Sequence, residues 1–485
     1  MSAPDRTAFS LSPIATDQIE KVHLATLEIL QRTGVAVQEP EARRLLLDAG
    51  AHAGAGDRLR IPPDLVKRAL ATAPERIVMH STDARPVMPL EPGRVFFGTG
   101  SDTPNTFDPR TRKRRPATLQ DVRDIARFTD ALANIDFIMS MAVPCDVPKS
   151  TTFVHEFAAM VASSRKPIIF TAYDNRDMET IYAIATTVAG SEDALRQKPF
   201  LMLYSEPIAP LQHTKIGVEK MLFCAERSIP VAYIPGIMSA GNAPATLAGA
   251  LAQGNAECLS GLVIHQLKRP GAPFLYGLNV TVMDLRTTVL SYAAPEFAMT
   301  NSIAAAMARH YRLPVWGLAG ASDSKTPDAQ AGAEAAFSIL TAALSGGNLV
   351  HDVGYLESGL TSSMEMILLG DEMISMTRRL LRGIDLDDAS FALETIDGVG
   401  PGGAFIDLDH TRQTFRAEHW IPRFLDRRRH DAWRNDGSPA LADRLNAEVR
   451  RILKTHQPAP LPVDKAEEIA KIISAREAAD ARRKS

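Results

Sequence analysis

Short apolar, β-branched runs recur along the middle of this chain at Val95–Gly98, Ile135–Ala142, Pro167–Tyr173, Pro199–Glu206, Pro230–Ile237, Pro273–Thr281, Pro314–Ala319 and Asn348–Gly354. About 30 to 44 residues separate each start from the next. Between the runs lie Ala-rich stretches with helical spacing, among them Thr118–Leu132, Met178–Val188, Val218–Arg227, Ala245–Gln266, Glu296–Tyr311 and Ala329–Leu344. Strand, helix, strand at this interval predicts right-handed βαβ units and a parallel sheet. Five runs follow a proline (Pro167, Pro199, Pro230, Pro273 and Pro314), which stops the preceding helix and leads into extended chain. Eight units predict a closed (β/α)₈ TIM barrel within an α/β class, rather than an open doubly wound sheet.

The flanks read differently. Residues 1–16 read as a mobile tail, and 17–90 as a helical extension with helices from Asp17, at Glu41–Asp48 and at Pro63–Thr72. The barrel is expected over 91–384 and a charged, mostly helical extension over 385–485. Within that extension Gly398–Gly403 reads as a loop, Pro458–Pro462 as a linker and Lys465–Arg483 as an exposed last helix that offers a dimer surface.

Composition narrows the classes. With 45% hydrophobic residues and a net charge of -3, disorder and electrostatic nucleic-acid binding are not indicated. No apolar stretch reaches the ~20 residues that span a bilayer, and no secretory signal opens the chain, so a cytoplasmic protein is expected. Cys145, Cys224 and Cys258 are too few and too scattered for a disulfide scaffold, and the latter two fall in helical patterns as buried small side chains. No His-x-x-x-His, Cys-x-x-Cys or His-x-Cys pair occurs, so no protein-bound metal is expected.

In a barrel, chemistry belongs at the C-terminal ends of the strands. Five of the eight tyrosines (Tyr173, Tyr204, Tyr233, Tyr276 and Tyr355) lie on or at these strands, with Trp316 on the seventh. Rings gathered at a pocket hold quaternary ammonium ions through cation–π attraction of ~0.5–2 kcal/mol each. Alternation along strands sends some of these rings outward. Ser322–Lys325 and the lone His351 mark the ends of the seventh and eighth strands.

Gly317–Lys325 with Asp328, Gln330, Gly332 and Glu334, the run Gly347–Gly359, and Phe415–Pro422 resemble the trimethylamine methyltransferase superfamily over nearly the whole chain. That resemblance implies a (β/α)₈ barrel that passes a methyl group from a methylated amine to the cobalt of a separate corrinoid-binding protein. Founding members carry pyrrolysine; this chain has only the twenty standard residues, and so resembles the branch that includes glycine betaine:corrinoid methyltransferases. It implies that Tyr173, Tyr204, Tyr276 and Tyr355 face a quaternary amine, with Glu206 attracting it. Asn279, Gln330 and His351 would bond the substrate carboxylate or the corrinoid edge, His351 and Asp323 being counted with Glu206 as catalytic. Gly98, Gly100, Gly236, Gly277 and Gly320 would open the mouth to the corrinoid (methylcobalamin/cob(I)alamin), and Lys325 with Asp323 would shape its docking rim. Two other readings stand beside this one: a metal-free lyase or aldolase using Lys325 or Lys166 as a Schiff-base amine, and a quaternary-amine binding protein without catalysis.

Overall fold

The structure, a computed structural model, describes residues 8–484. Residues 1–7 of the expected tail lie outside the described residues, and a helix, Thr16–Glu28, begins at the end of that tail.

The chain is an α/β protein in which all eight predicted runs lie side by side. Ile168–Phe170, Leu201–Ser205, Val231–Tyr233 and Phe274–Leu275 form one parallel ladder. Trp316–Leu318, Leu349–His351 and Phe96–Phe97 form a second. Single parallel bridges supply the other neighbours, Gly98 to Phe137, Ile138 to Ile168 and Tyr276 to Val315. The ladders therefore do not merge into one continuous sheet.

Side chains alternate across each strand. Met202 and Tyr204 belong to an inner cluster with Met139, Ile169, Ala232, Leu275, Trp316, Leu318 and Leu349. Their neighbours Leu201, Leu203, Tyr233, Phe274 and Tyr276 belong to the outer core beneath the helices. A hairpin, Ile77–His80 with Pro86–Leu90, inserts Ile77, Met79, Met88 and Leu90 into the inner cluster from the N-terminal ends of the strands. The interior is thus closed at that end.

The extension at 17–90 is not purely helical. Pro40–Asp48 and Pro63–Thr72 form as expected, but Val35–Val37 pairs antiparallel with Arg58–Arg60 and parallel with Gln212–His213. All three extension helices pack on Leu247–Lys268. That helix is consequently buried on both sides, continuously from Ala250 to Gln266, which is why its apolar residues follow no single face. Among its polar members, Asn255 donates to Thr26 Oγ1 and Tyr311 Oη, and accepts from Tyr276 Oη.

Three hairpins unforeseen in the sequence cluster at the C-terminal ends of the strands: Asn105–Asp108 with Lys113–Pro116, Asn279–Asp284 with Val289–Ser291, and Tyr355–Leu356 with Thr361–Ser363. The last helix, Val463–Lys484, corrects the expectation of an exposed element. It packs on Asn175–Ala189, where buried Arg476 sits 3.1 Å from Asp177 and 3.2 Å from Asp480.

Candidate functional site

A cavity of about 610 Å³ opens at the C-terminal ends of the parallel strands. Its floor is aromatic because the alternation points Tyr204, Trp316 and His351 to the same interior. Tyr204 stacks on Trp316 with ring centroids 4.9 Å apart and planes 11° apart, and Trp316 meets the His351 ring at 4.1 Å. Tyr292 and Tyr355 stand on the wall, near parallel at 6.5 Å.

Carboxylates surround these rings. Asp102, Glu206 and Asp352 all line the cavity, against one lysine, Lys220. Tyr204 donates its hydroxyl to Glu206. Glu206 is open to the cavity yet set deep in the protein; that enclosure raises its pKa, and the Tyr204 bond partly offsets the rise. Asp102 is likewise raised by enclosure, offset by Thr171 and Ser140, whose hydroxyls donate at 3.1 and 3.4 Å. Behind it, buried Glu156 is held well above the usual carboxylate range by desolvation and by the charge of Asp102. Burial lowers Lys220, whose Nζ donates to the carbonyl of Ala172 at 2.6 Å.

The deepest polar atoms have no hydrogen-bond partner: both oxygens of Asp352, both ring nitrogens of His351, and Oδ1 of Asn279. His351 Nδ1 lies 2.6 Å from Asp352 Oδ1, within ion-pair distance, but the two are not aligned as a hydrogen bond. Buried polar groups are normally paired with protein or with water, and with no protein partner these atoms are free to bond a solvent molecule or a ligand in the cavity. Among the described residues no group of three or more His, Cys, Asp or Glu side chains is arranged to hold a metal ion.

Of the residues singled out in the sequence, Tyr204, Glu206, Asn279, His351 and Tyr355 come together here. Tyr173 does not: its side chain is outside the cavity and 65% exposed. Tyr276 points the other way, donating to Asn255 Oδ1 at 2.8 Å and meeting Tyr311 edge-on. Gln330 lies on the surface, bonded to Glu334.

Asp323 is also outside the cavity. It accepts from the hydroxyls of Ser291 and Ser358 and from the Tyr292 amide at 3.1 Å, and so ties two rim segments together. Glu334 in turn accepts from Ser322 and from the Asp323 amide, while Lys325 caps the carbonyl of Asp323. The conspicuous Ser-Asp-Ser-Lys segment is therefore a brace for the cavity wall.

The glycines do not form an open mouth. A Cβ on Gly98 would fall inside the Phe137 ring, one on Gly100 inside the Tyr355 ring, and one on Gly277 against Trp316. Gly320, at φ +81°, lies against Val353. Each permits close packing; a Cβ on Gly236 would instead lie 3.6 Å from Glu206 Oε2, at ordinary contact distance.

Sequence reasoning missed Asp102, Asp352, Lys220 and Tyr292 as site residues. Asp102 and Asp352 follow the first and eighth strands at positive φ, +51° and +80°. Lys220 interrupts an apolar helix face, a signal visible in the sequence, whereas Tyr292 arrives on a hairpin whose return could not be placed.

Residues 1–481 match the family model described as trimethylamine methyltransferase (MTTB). The chain belongs to this family. Trimethylamine methyltransferase MttB of Desulfitobacterium hafniense (strain DSM 10664 / DCB-2) is 32% identical over 455 residues, covering 94% of this chain and 92% of the relative. The glycine betaine methyltransferase of D. hafniense (strain Y51) is 29% identical over 450 residues, covering 92% and 93%. The crystal structure of the Methanosarcina barkeri monomethylamine methyltransferase (MtmB) shares the fold, with a TM-score of 0.53 at 12% identity over 91% of this chain and 88% of that one. As a trimethylamine methyltransferase family member, the chain is a methyltransferase, and the cavity just described opens at the C-terminal ends of its parallel strands.

Proposed function

We propose that the protein moves a methyl group from a quaternary amine such as glycine betaine to the Co(I) corrinoid of a partner protein, in a site at the mouth of a closed (β/α)₈ barrel. The observation that carries the reading is the pairing of stacked rings with unpartnered buried acceptors on the cavity floor. Tyr204, Tyr292 and Tyr355 offer aromatic faces, Trp316 being stacked on Tyr204, and Asp352 and Glu206 offer negative charge. A permanent cation satisfies both, since cation–π attraction strengthens where water is excluded and the carboxylate oxygens gain a counter-charge. The glycine betaine methyltransferase of D. hafniense supports this substrate class.

Cobalt(I) supplies the nucleophile. The methyl carbon–nitrogen bond breaks with its electron pair going to nitrogen, a carbon–cobalt bond forms, cobalt passes formally from I to III, and a neutral tertiary amine leaves. No proton is transferred, so the residues act by binding, orientation and exclusion of water, effects worth several kcal/mol. His351 and Asn279 hold the amine's polar substituent, while Tyr204 and Glu206 fix the ammonium. Asp323 acts as a positioning residue through Tyr292. The aldolase reading finds no support in the lysines. Lys166 Nζ is capped by the carbonyls of Thr129, Leu132 and Ile135 at the far end of the strands, and Lys325 is exposed. The test is transfer itself, followed by the spectrum of reduced cobalamin with a panel of betaines; no transfer from any of them refutes the proposal.

A further inference from the structure

One lysine faces the cavity. Among the described residues that line it, Lys220 is the one lysine or arginine, set among Asp102, Glu206 and Asp352. It lies on the helix Lys215–Arg227, where its buried neighbours include Val218, Met221 and Leu222, and is itself only 9% exposed. Its Nζ donates to the carbonyl of Ala172 at 2.6 Å. No carboxylate among the described residues comes within ion-pair distance of that ammonium.

A lysine is seldom enclosed without a partner, because an ammonium taken out of water loses its hydration. The Ala172 carbonyl uses one of its three N–H groups and leaves two. The carboxylates that share the cavity wall are engaged elsewhere: Glu206 accepts from Tyr204, and Asp102 from Thr171 and Ser140. An anion entering the cavity meets the two remaining donors and offsets the burial that lowers the pKa of Lys220. A plain cation gains nothing from Lys220 and is repelled by it.

We propose that Lys220 binds the carboxylate of the substrate and so makes the site select zwitterions over plain quaternary cations. The inference rests on the quaternary-amine reading above and names the second group that such a substrate carries. His351 and Asn279 hold that group by hydrogen bonds. Lys220 adds an opposite charge, in a cavity already lined by three carboxylates.

The test is isothermal titration calorimetry of the full-length chain, which reads binding without any methyl transfer. The probes are glycine betaine and choline, two trimethylammonium compounds of similar size, the second with a hydroxyl in place of the carboxylate. The wild type should bind glycine betaine at least ~10-fold more tightly than choline. Lys220→Gln keeps a donor for the Ala172 carbonyl but removes the charge. It should weaken glycine betaine ~10–100-fold while choline stays within about twofold or tightens. Equal weakening of both ligands, or no change for glycine betaine, overturns the proposal. So does a wild type that binds choline as tightly as glycine betaine, a comparison that needs no variant to fold. A wild type that binds neither compound overturns the quaternary-amine reading itself, and this inference with it.

Discussion

Asp352→Asn separates a residue kept for function from one kept for stability. Both oxygens of Asp352 are buried without a hydrogen-bond partner, and His351 Nδ1 approaches one of them out of alignment. An unsatisfied buried group costs ~1–3 kcal/mol, and more when charged. Asparagine has nearly the same shape and tolerates the left-handed backbone that this position requires, φ +80°. Removing the charge should therefore stabilise the ligand-free protein by ~1–3 kcal/mol. With ~2.1 cal/mol/K of unfolding entropy per residue, a chain this long carries about 1 kcal/mol/K, so Tm should rise by ~1–3 °C. The same change removes a counter-charge from the bound ammonium, worth ~1.5–3 kcal/mol, so kcat/KM should fall ~10–100-fold. Calorimetry at neutral pH and initial rates of transfer from glycine betaine to cob(I)alamin read the two effects. A Tm lowered by several degrees, or an unchanged kcat/KM, would show that Asp352 does not face the substrate.

Other outcomes follow from the same geometry. Tyr204→Phe keeps the ring on Trp316 but removes the hydroxyl that Glu206 accepts. It should lower kcat/KM by about tenfold, and Tyr204→Ala by more, with the ring's cation–π share also lost; equal effects in kinetic assays would remove the ring from the argument. Glu257 is buried against the Leu211 amide and Gln253, and desolvation raises it to about 7 from 4.5. Its folded pKa lies above its unfolded one, so its contribution is fully present below pH 4.5 and is lost as pH rises through 7, ~3 kcal/mol in all. Glu257→Gln should remove that slope from a series of denaturation curves, and an unaltered slope would contradict the assignment. Lys325→Met should leave transfer within about twofold, because an exposed side chain bonded to its own loop carries little energy. A borohydride-trapped adduct on Lys325 or Lys166 would instead revive the Schiff-base reading.

The parallel strands were legible because apolar runs recur at a regular interval, five of them opened by a proline that ends the preceding helix. Which rings meet was not legible, because a two-residue period fixes the face only once the register is known. Tyr204 pairs with Ala232 and Ser205 with Tyr233, so Tyr204 turns inward and Tyr233 outward. Tyr276 goes outward by the same rule. His351 was found because a histidine in an apolar strand is conspicuous. Asp323 was conspicuous too, but its three hydrogen bonds go to rim segments that the sequence could not bring together. The hairpins were hidden for a related reason. Their strands are two to six residues long and partly polar, too short to carry a period of their own.

The central claim is that the cavity passes a methyl group from a quaternary ammonium to cobalt. Purified protein mixed with cob(I)alamin and glycine betaine, or with carnitine or proline betaine, should convert the Co(I) spectrum to that of methyl-Co(III), with one tertiary amine released per methyl transferred. His351→Ala should lose most of that conversion while keeping its fold. Tight betaine binding with no change in the cobalt spectrum, even with a cognate corrinoid-binding protein present, would contradict the account and leave a binding protein in its place.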